Sequence, residues 1–109
     1  MTGARKGFVE YDSQEHCIRA WWVLMRTYRR RYGCTTVRQI VTRYAPPSEN
    51  DTVRYVGFCC RRTGLGPDCE LNGERDYARL GVAMARMETG TQVSVRDMAS
   101  VRSECHINL

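Results

Sequence analysis

Tyr44-Ala-Pro-Pro-Ser-Glu-Asn-Asp-Thr-Val-Arg-Tyr55 decides the architecture of this 109-residue chain. The two proline rings remove backbone donors and push the residue before them toward extended geometry, so a helix arriving from the N-terminal side must end here. Asn50, Asp51 and Thr52 then offer side-chain oxygens suited to capping a new helix. The stretch is therefore a junction between two helices. Its two acids, its asparagine and its flanking tyrosines carry more side-chain chemistry than a junction needs.

Upstream, Thr36 with Gln39 makes a capping box that opens a short helix, with Val37, Ile40, Val41 and Tyr44 facing inward. Before it, Ile18, Trp21, Trp22, Met25, Tyr28 and Tyr32 recur at steps of three and four, the stripe of a long amphipathic helix. Asp12 or Ser13 caps that helix, Asp12 and Glu15 fit a capping box, and Gly33 stops it. Trp21 and Trp22 are neighbours and point apart, so one is expected in the core and the other as an exposed anchor for a partner.

Downstream, a third helix from Asp51 to Arg62 is expected to bury Val53, Val56 and Cys60, with Tyr55 and Phe58 flanking. Thr63-Gly-Leu-Gly-Pro-Asp68 is a loop by its glycines and proline. A fourth helix, Glu74 to Glu88, presents Tyr77, Leu80, Met84 and Met87, and Gly90 ends it. Ser94 with Asp97 opens a last short helix carrying Val95, Met98 and Val101. The alternation Gly7-Phe-Val-Glu-Tyr11 reads as one short N-terminal strand or hairpin. The pattern predicts a mainly α fold, a compact single-domain bundle of four to five helices. Residues 1–7 are read as a flexible N-terminus, 8–103 as the domain and 104–109 as a C-terminal tail.

The length suits one domain with a modest core. The net charge is +5 and comes almost entirely from arginine, Lys6 being the sole lysine. Arg26, Arg29, Arg30, Arg31, Arg38 and Arg43, interleaved with Tyr28 and Tyr32, form a candidate basic patch for nucleic acid. No apolar run approaches the roughly 20 residues a membrane span requires, and no secretory leader pattern is present. Cytoplasmic synthesis is expected, with exit by lysis or inside a particle. The six cysteines have no C-x-x-C pair, and His16 and His106 lie far apart in sequence, so neither a metal nor a cofactor is expected. Cys17, Cys59 and Cys60 read as small apolar residues on helix faces, and Cys105 as an exposed thiol.

Phe8-Val-Glu-Tyr-Asp-Ser-Gln-Glu-His-Cys-Ile-Arg-Ala20 resembles the lead-in of a family of bacteriophage and prophage virion structural proteins, lysozyme-like and associated with peptidoglycan. Tyr28 to Tyr55, with its Ala-Pro-Pro and Glu-Asn core, looks like the family's central block. Ala83-Met-Ala-Arg-Met-Glu-Thr-Gly90 is similar to its late segment. The resemblance covers residues 8 to 90. It implies a lysozyme-like fold in the bacterial host or the virion, with peptidoglycan or a phage or host protein as partner. Two departures stand out: Cys17 replaces the usual glycine, and the family's Asn-Pro-Gly-Asn segment has no counterpart before Phe8. Lysozyme-like folds tend to carry their general acid near the end of an early helix, and this sequence shows no such helix, so the resemblance implies a binding or structural role with catalysis reduced or lost.

Glycan cleavage requires an acid able to protonate the leaving oxygen, usually beside a second carboxylate or a positioned water. Glu10 and Glu49 are the candidate catalytic pair, and Tyr11, Tyr44, Asn50, Asp51 and Tyr55 the candidate ligand-binding residues. The alternatives are an active muramidase and a small basic accessory protein binding nucleic acid or protein. Asp51 and Glu15 also have a purely architectural reading as first-turn helix acids.

Overall fold

The computed structural model describes residues 14–48 and 51–109. Among the described residues five helices follow one another: α1 Gln14–Tyr32, α2 Val37–Tyr44, α3 Thr52–Thr63, α4 Gly73–Thr89 and α5 Val95–Glu104. Among the described residues there is no strand, only an isolated antiparallel bridge between Thr36 and Glu70. The expected N-terminal strand, the Asp12 cap and the 1–7 segment lie outside the described residues.

Local chemistry sets the boundaries. In the Thr36 box, the Gln39 amide donates to Thr36 Oγ1 at 3.2 Å and the Thr36 amide to Gln39 Oε1 at 3.2 Å. In the Ser94 box, the Asp97 amide donates to Ser94 Oγ at 3.0 Å and the Ser94 amide to Asp97 Oδ2 at 3.3 Å. Each box satisfies two amides that the first helical turn leaves without partners. α2 stops at Tyr44, with Ala45 as its C-cap just ahead of the double proline, and Asp51 caps α3 by accepting from the Arg54 amide at 3.2 Å. Gly64 and Gly90 end α3 and α4 in the left-handed region, at φ of 75° and 73°, where a Cβ is strained.

The core closes around α1. Ile18, Trp21, Trp22 and Met25 are essentially inaccessible, as are Ile40 and Val41 of α2, Leu80 and Met84 of α4 and Met98 of α5. Both tryptophans are buried, which corrects the expected division into one core and one exposed ring. Their rings meet edge to face at 5.1 Å and 78°. They diverge as helical neighbours must, but α1 is covered on both sides. Trp21 packs beside Gly81 of α4, and Trp22 Nε1 donates to the Met98 carbonyl of α5 at 2.9 Å. Arg102 seals the edge, donating to Glu74 at 3.1 Å while its guanidinium carbon lies 6.0 Å from the Trp22 ring centre.

α3 is rotated relative to the sequence expectation. Val53 is 83 % exposed, while Tyr55, Val56 and Cys59 face the core. Both stripes obey helical spacing, so periodicity does not separate them. A buried hydrogen bond does: Thr52 Oγ1 donates to the Ala45 carbonyl at 2.6 Å, turning Val53 outward. Val95 is likewise partly exposed on α5, and Tyr32 is 48 % exposed at the end of α1.

Candidate functional site

The C-terminal turn of α4 lies against the N-terminal half of α3, and an open groove of about 490 Å³ runs between them, lined by Asp51, Arg54, Tyr55, Phe58, Arg86, Met87 and Glu88. The lining has a simple logic. Asp51 enters as the cap of α3, and one turn later Arg54, Tyr55 and Phe58 share a flank by helical spacing. From α4 come three consecutive residues of the last turn. Phe58 and Met87 are half-buried and supply apolar surface, and two carboxylates and two guanidiniums surround it.

Several of these groups are held in place. Arg86 donates to the Gly90 carbonyl at 2.7 Å, and Arg62 reaches over the Phe58 ring at 5.3 Å. Tyr55 is only 5 % exposed. Its hydroxyl is pushed well above the ordinary phenol range, first by burial and then by the Glu88 carboxylate beside it. Burial also raises the neighbouring Cys59 thiol to about 12, with the charges of Cys60 and Glu88 adding to it.

The sequence candidates distribute unevenly. Glu10, Tyr11, Glu49 and Asn50 lie outside the described residues. Asp51 and Tyr55 do meet in the groove. Tyr44 does not: at 1 % exposure it is a core residue, because the helical stripe that carries Val37, Ile40 and Val41 carries it inward too. Arg54, Phe58, Arg86, Met87 and Glu88 were not singled out as a site. Their two groups lie some thirty residues apart in sequence, and no motif links them.

The arginine patch is divided among different tasks. Arg38 makes a two-pronged ion pair with Asp68, at 2.7 and 3.0 Å, which holds the Asp68 carboxyl below its usual range. Arg30 donates to the carbonyls of Leu109 and Asn108 at 3.2 and 3.1 Å. Arg26 lies further back on α1, lining a shallow surface with His16, Arg19, Ala20 and Val23. Arg43 stacks on Tyr32, 3.5 Å from the ring centre. Arg29 and Arg31 are exposed in the last turn of α1.

Cys34, Cys59, Cys60, Cys69 and Cys105 are free thiols. Cys17 and Cys59 are buried as expected, Cys60 is half-buried, and the exposed thiol is Cys69 rather than Cys105, which is half-buried. Among the described residues no group of three His, Cys, Asp or Glu side chains is placed to hold a metal ion, and no helix is long and apolar enough to cross a membrane.

The chain is a homologue of a bacteriophage protein. That relative is Protein P5 of Pseudoalteromonas phage PM2, 38 % identical over 84 residues, which cover 77 % of this chain and 52 % of the relative. The chain thus spans about half the length of the curated relative it matches. No family model matches the chain. No solved structure matches it either. The match agrees with the phage origin that the sequence resemblance implied.

Proposed function

We propose that this chain is a structural, binding domain of a bacteriophage particle, and that the groove between α3 and α4 is its contact surface for peptidoglycan. The homology to a phage protein supports the setting, and the lysozyme-like resemblance of the sequence supplies the ligand class. One observation carries the site: Asp51, Glu88, Arg54 and Arg86 converge around the apolar surface of Phe58 and Met87. Peptidoglycan presents the matching chemistry. Sugar rings pack on apolar and aromatic surface, while peptide stems bring carboxylates to arginine and amino groups to acids.

Binding rather than cleavage is the reading for the described groups. Asp51 is committed to the N-terminus of α3, and Glu88 lies against the buried Tyr55 hydroxyl. Incorporation into a virion would bring such a domain to the cell wall during entry.

The test is incubation with purified sacculi, followed by pelleting and by mass spectrometry of the supernatant. Co-sedimentation that Phe58→Ala and Arg86→Ala both weaken is the expected result. Release of muropeptides, lost in Glu10→Gln or Glu49→Gln, would instead make the chain a muramidase with its acid in the lead-in or the junction. Failure of the folded protein to pellet with sacculi removes the peptidoglycan reading.

A further inference from the structure

A second surface, built from the ends of α1 and α2, points to a different ligand. Tyr32 is a large aromatic left 48 % exposed. The Arg43 guanidinium sits 3.5 Å from its ring centre and 5.9 Å from that of Tyr28. Tyr28 is buried beneath, its hydroxyl raised to about 12 chiefly by that burial. The end of α1 is pinned where the Cys34 amide donates to the Tyr28 carbonyl at 3.0 Å. Arg38 and Arg102 are neutralised by Asp68 and Glu74, whereas Arg43, Arg29 and Arg31 form no ion pair among the described residues. Arg43 therefore keeps its charge uncompensated on an exposed ring, with Arg29 and Arg31 exposed in the same last turn of α1.

We propose that Arg43 and Tyr32 form a stacking site for single-stranded nucleic acid, with Arg29 and Arg31 contacting the phosphates. A guanidinium already seated on a ring has lost part of its rotamer freedom before binding, so less ordering remains when a ligand arrives. Its outer face accepts a base by stacking, and its N–H edge donates to a phosphate oxygen. Stacking is tolerant of sequence because every base has a π face. A duplex keeps its bases stacked on one another and offers this surface only its phosphates. The site accordingly selects single strands. It shares none of the groove residues and stands or falls independently of the peptidoglycan reading.

Fluorescence anisotropy with a labelled oligothymidine of roughly 15 nucleotides, and with the corresponding duplex, tests this. Three phosphate-contacting arginines predict a log–log salt slope of about −2 for the single strand. Tyr32→Ala is expected to weaken binding several-fold, because the guanidinium loses the ring that pre-orients it, and Tyr32→Phe to retain it. Arg43→Lys keeps the slope and loses affinity, because the charge remains and the planar stack does not. Arg43→Ala reduces the slope by about 0.7. Arg96→Ala, on exposed α5, removes the same charge elsewhere and serves as the control. Equal losses in Arg96→Ala and Arg43→Ala would mean diffuse attraction and overturn the proposal. So would a duplex bound as tightly as the single strand, a Tyr32→Ala protein that binds like the parent, or no binding at about 50 mM salt.

Discussion

Gly81→Ala is the sharpest perturbation of the packing. Gly81 lies inside α4, where replacing glycine by alanine ordinarily adds about 1 kcal/mol of helix stability. Here the added Cβ would overlap the terminal methyl of Met98 and stand 3.1 Å from both Cη2 and Cζ3 of Trp21. Met98 is flexible, but it is fully buried between helices, so its displaced methyl must push against other core atoms. The Trp21 ring is fully buried too and cannot swing aside. Overpacking of this kind costs about 1–3 kcal/mol. Setting that against the propensity gain leaves a net destabilisation of about 1 kcal/mol, a fall in Tm of about 4 °C for a domain of this size. Chemical and thermal unfolding followed by tryptophan fluorescence and circular dichroism would measure it. The double variant Gly81→Ala with Met98→Leu should recover much of the loss, because the shorter side chain vacates the contested space. A Gly81→Ala protein about 1 kcal/mol more stable than the parent would show that the α1–α4–α5 contact is looser than described and would refute the reasoning.

Other outcomes follow from single contacts. Thr52→Val should destabilise by about 1–3 kcal/mol in urea unfolding, because it leaves the buried Ala45 carbonyl without its hydroxyl donor. At pH 8, a thiol reagent should label Cys69 at once, while Cys59, raised to about 12 and buried, reacts only with denaturant present; Cys69→Ser should abolish the fast phase. Tyr28, Tyr55 and Tyr77 all have hydroxyls raised in the folded state, mainly by burial. Their folded values lie above the unfolded value of about 10, so this contribution is complete below pH 10 and declines as pH rises toward 12. Alkaline unfolding monitored by tyrosinate absorbance should therefore show these phenols ionising together with loss of helix, and Tyr28→Phe should shift the midpoint upward.

Most of the architecture was legible because its signals are local. A double proline cannot continue a helix, a Thr36–Gln39 or Ser94–Asp97 pair satisfies amides within one turn, and a glycine at positive φ ends one; none of these depends on the rest of the molecule. Helix number, order and approximate bounds thus follow from the chain itself. So does most of the α1 stripe, since Ile18, Trp21, Trp22, Met25 and Tyr28 share a period that only a helix accommodates.

What tertiary structure alone decided is which side of a helix is inside when two stripes compete, and which distant residues meet. α3 offered Val53–Val56–Cys60 and Tyr55–Val56–Cys59 as alternative inward faces, each compatible with helical periodicity, and the Thr52 bond to Ala45 selected the second. Trp21 and Trp22 both vanish into the core because α4 and α5 approach α1 from different sides, which no pattern within α1 encodes. Tyr44 was lost to a ligand surface for the same reason, being needed for packing. The groove itself joins the start of α3 to the end of α4, and the Arg43–Tyr32 stack joins α2 to α1. Caps and periods are written in neighbouring residues, whereas these surfaces arise only when separate helices pack, because packing chooses the rotation of each helix and thereby which side chains share a space.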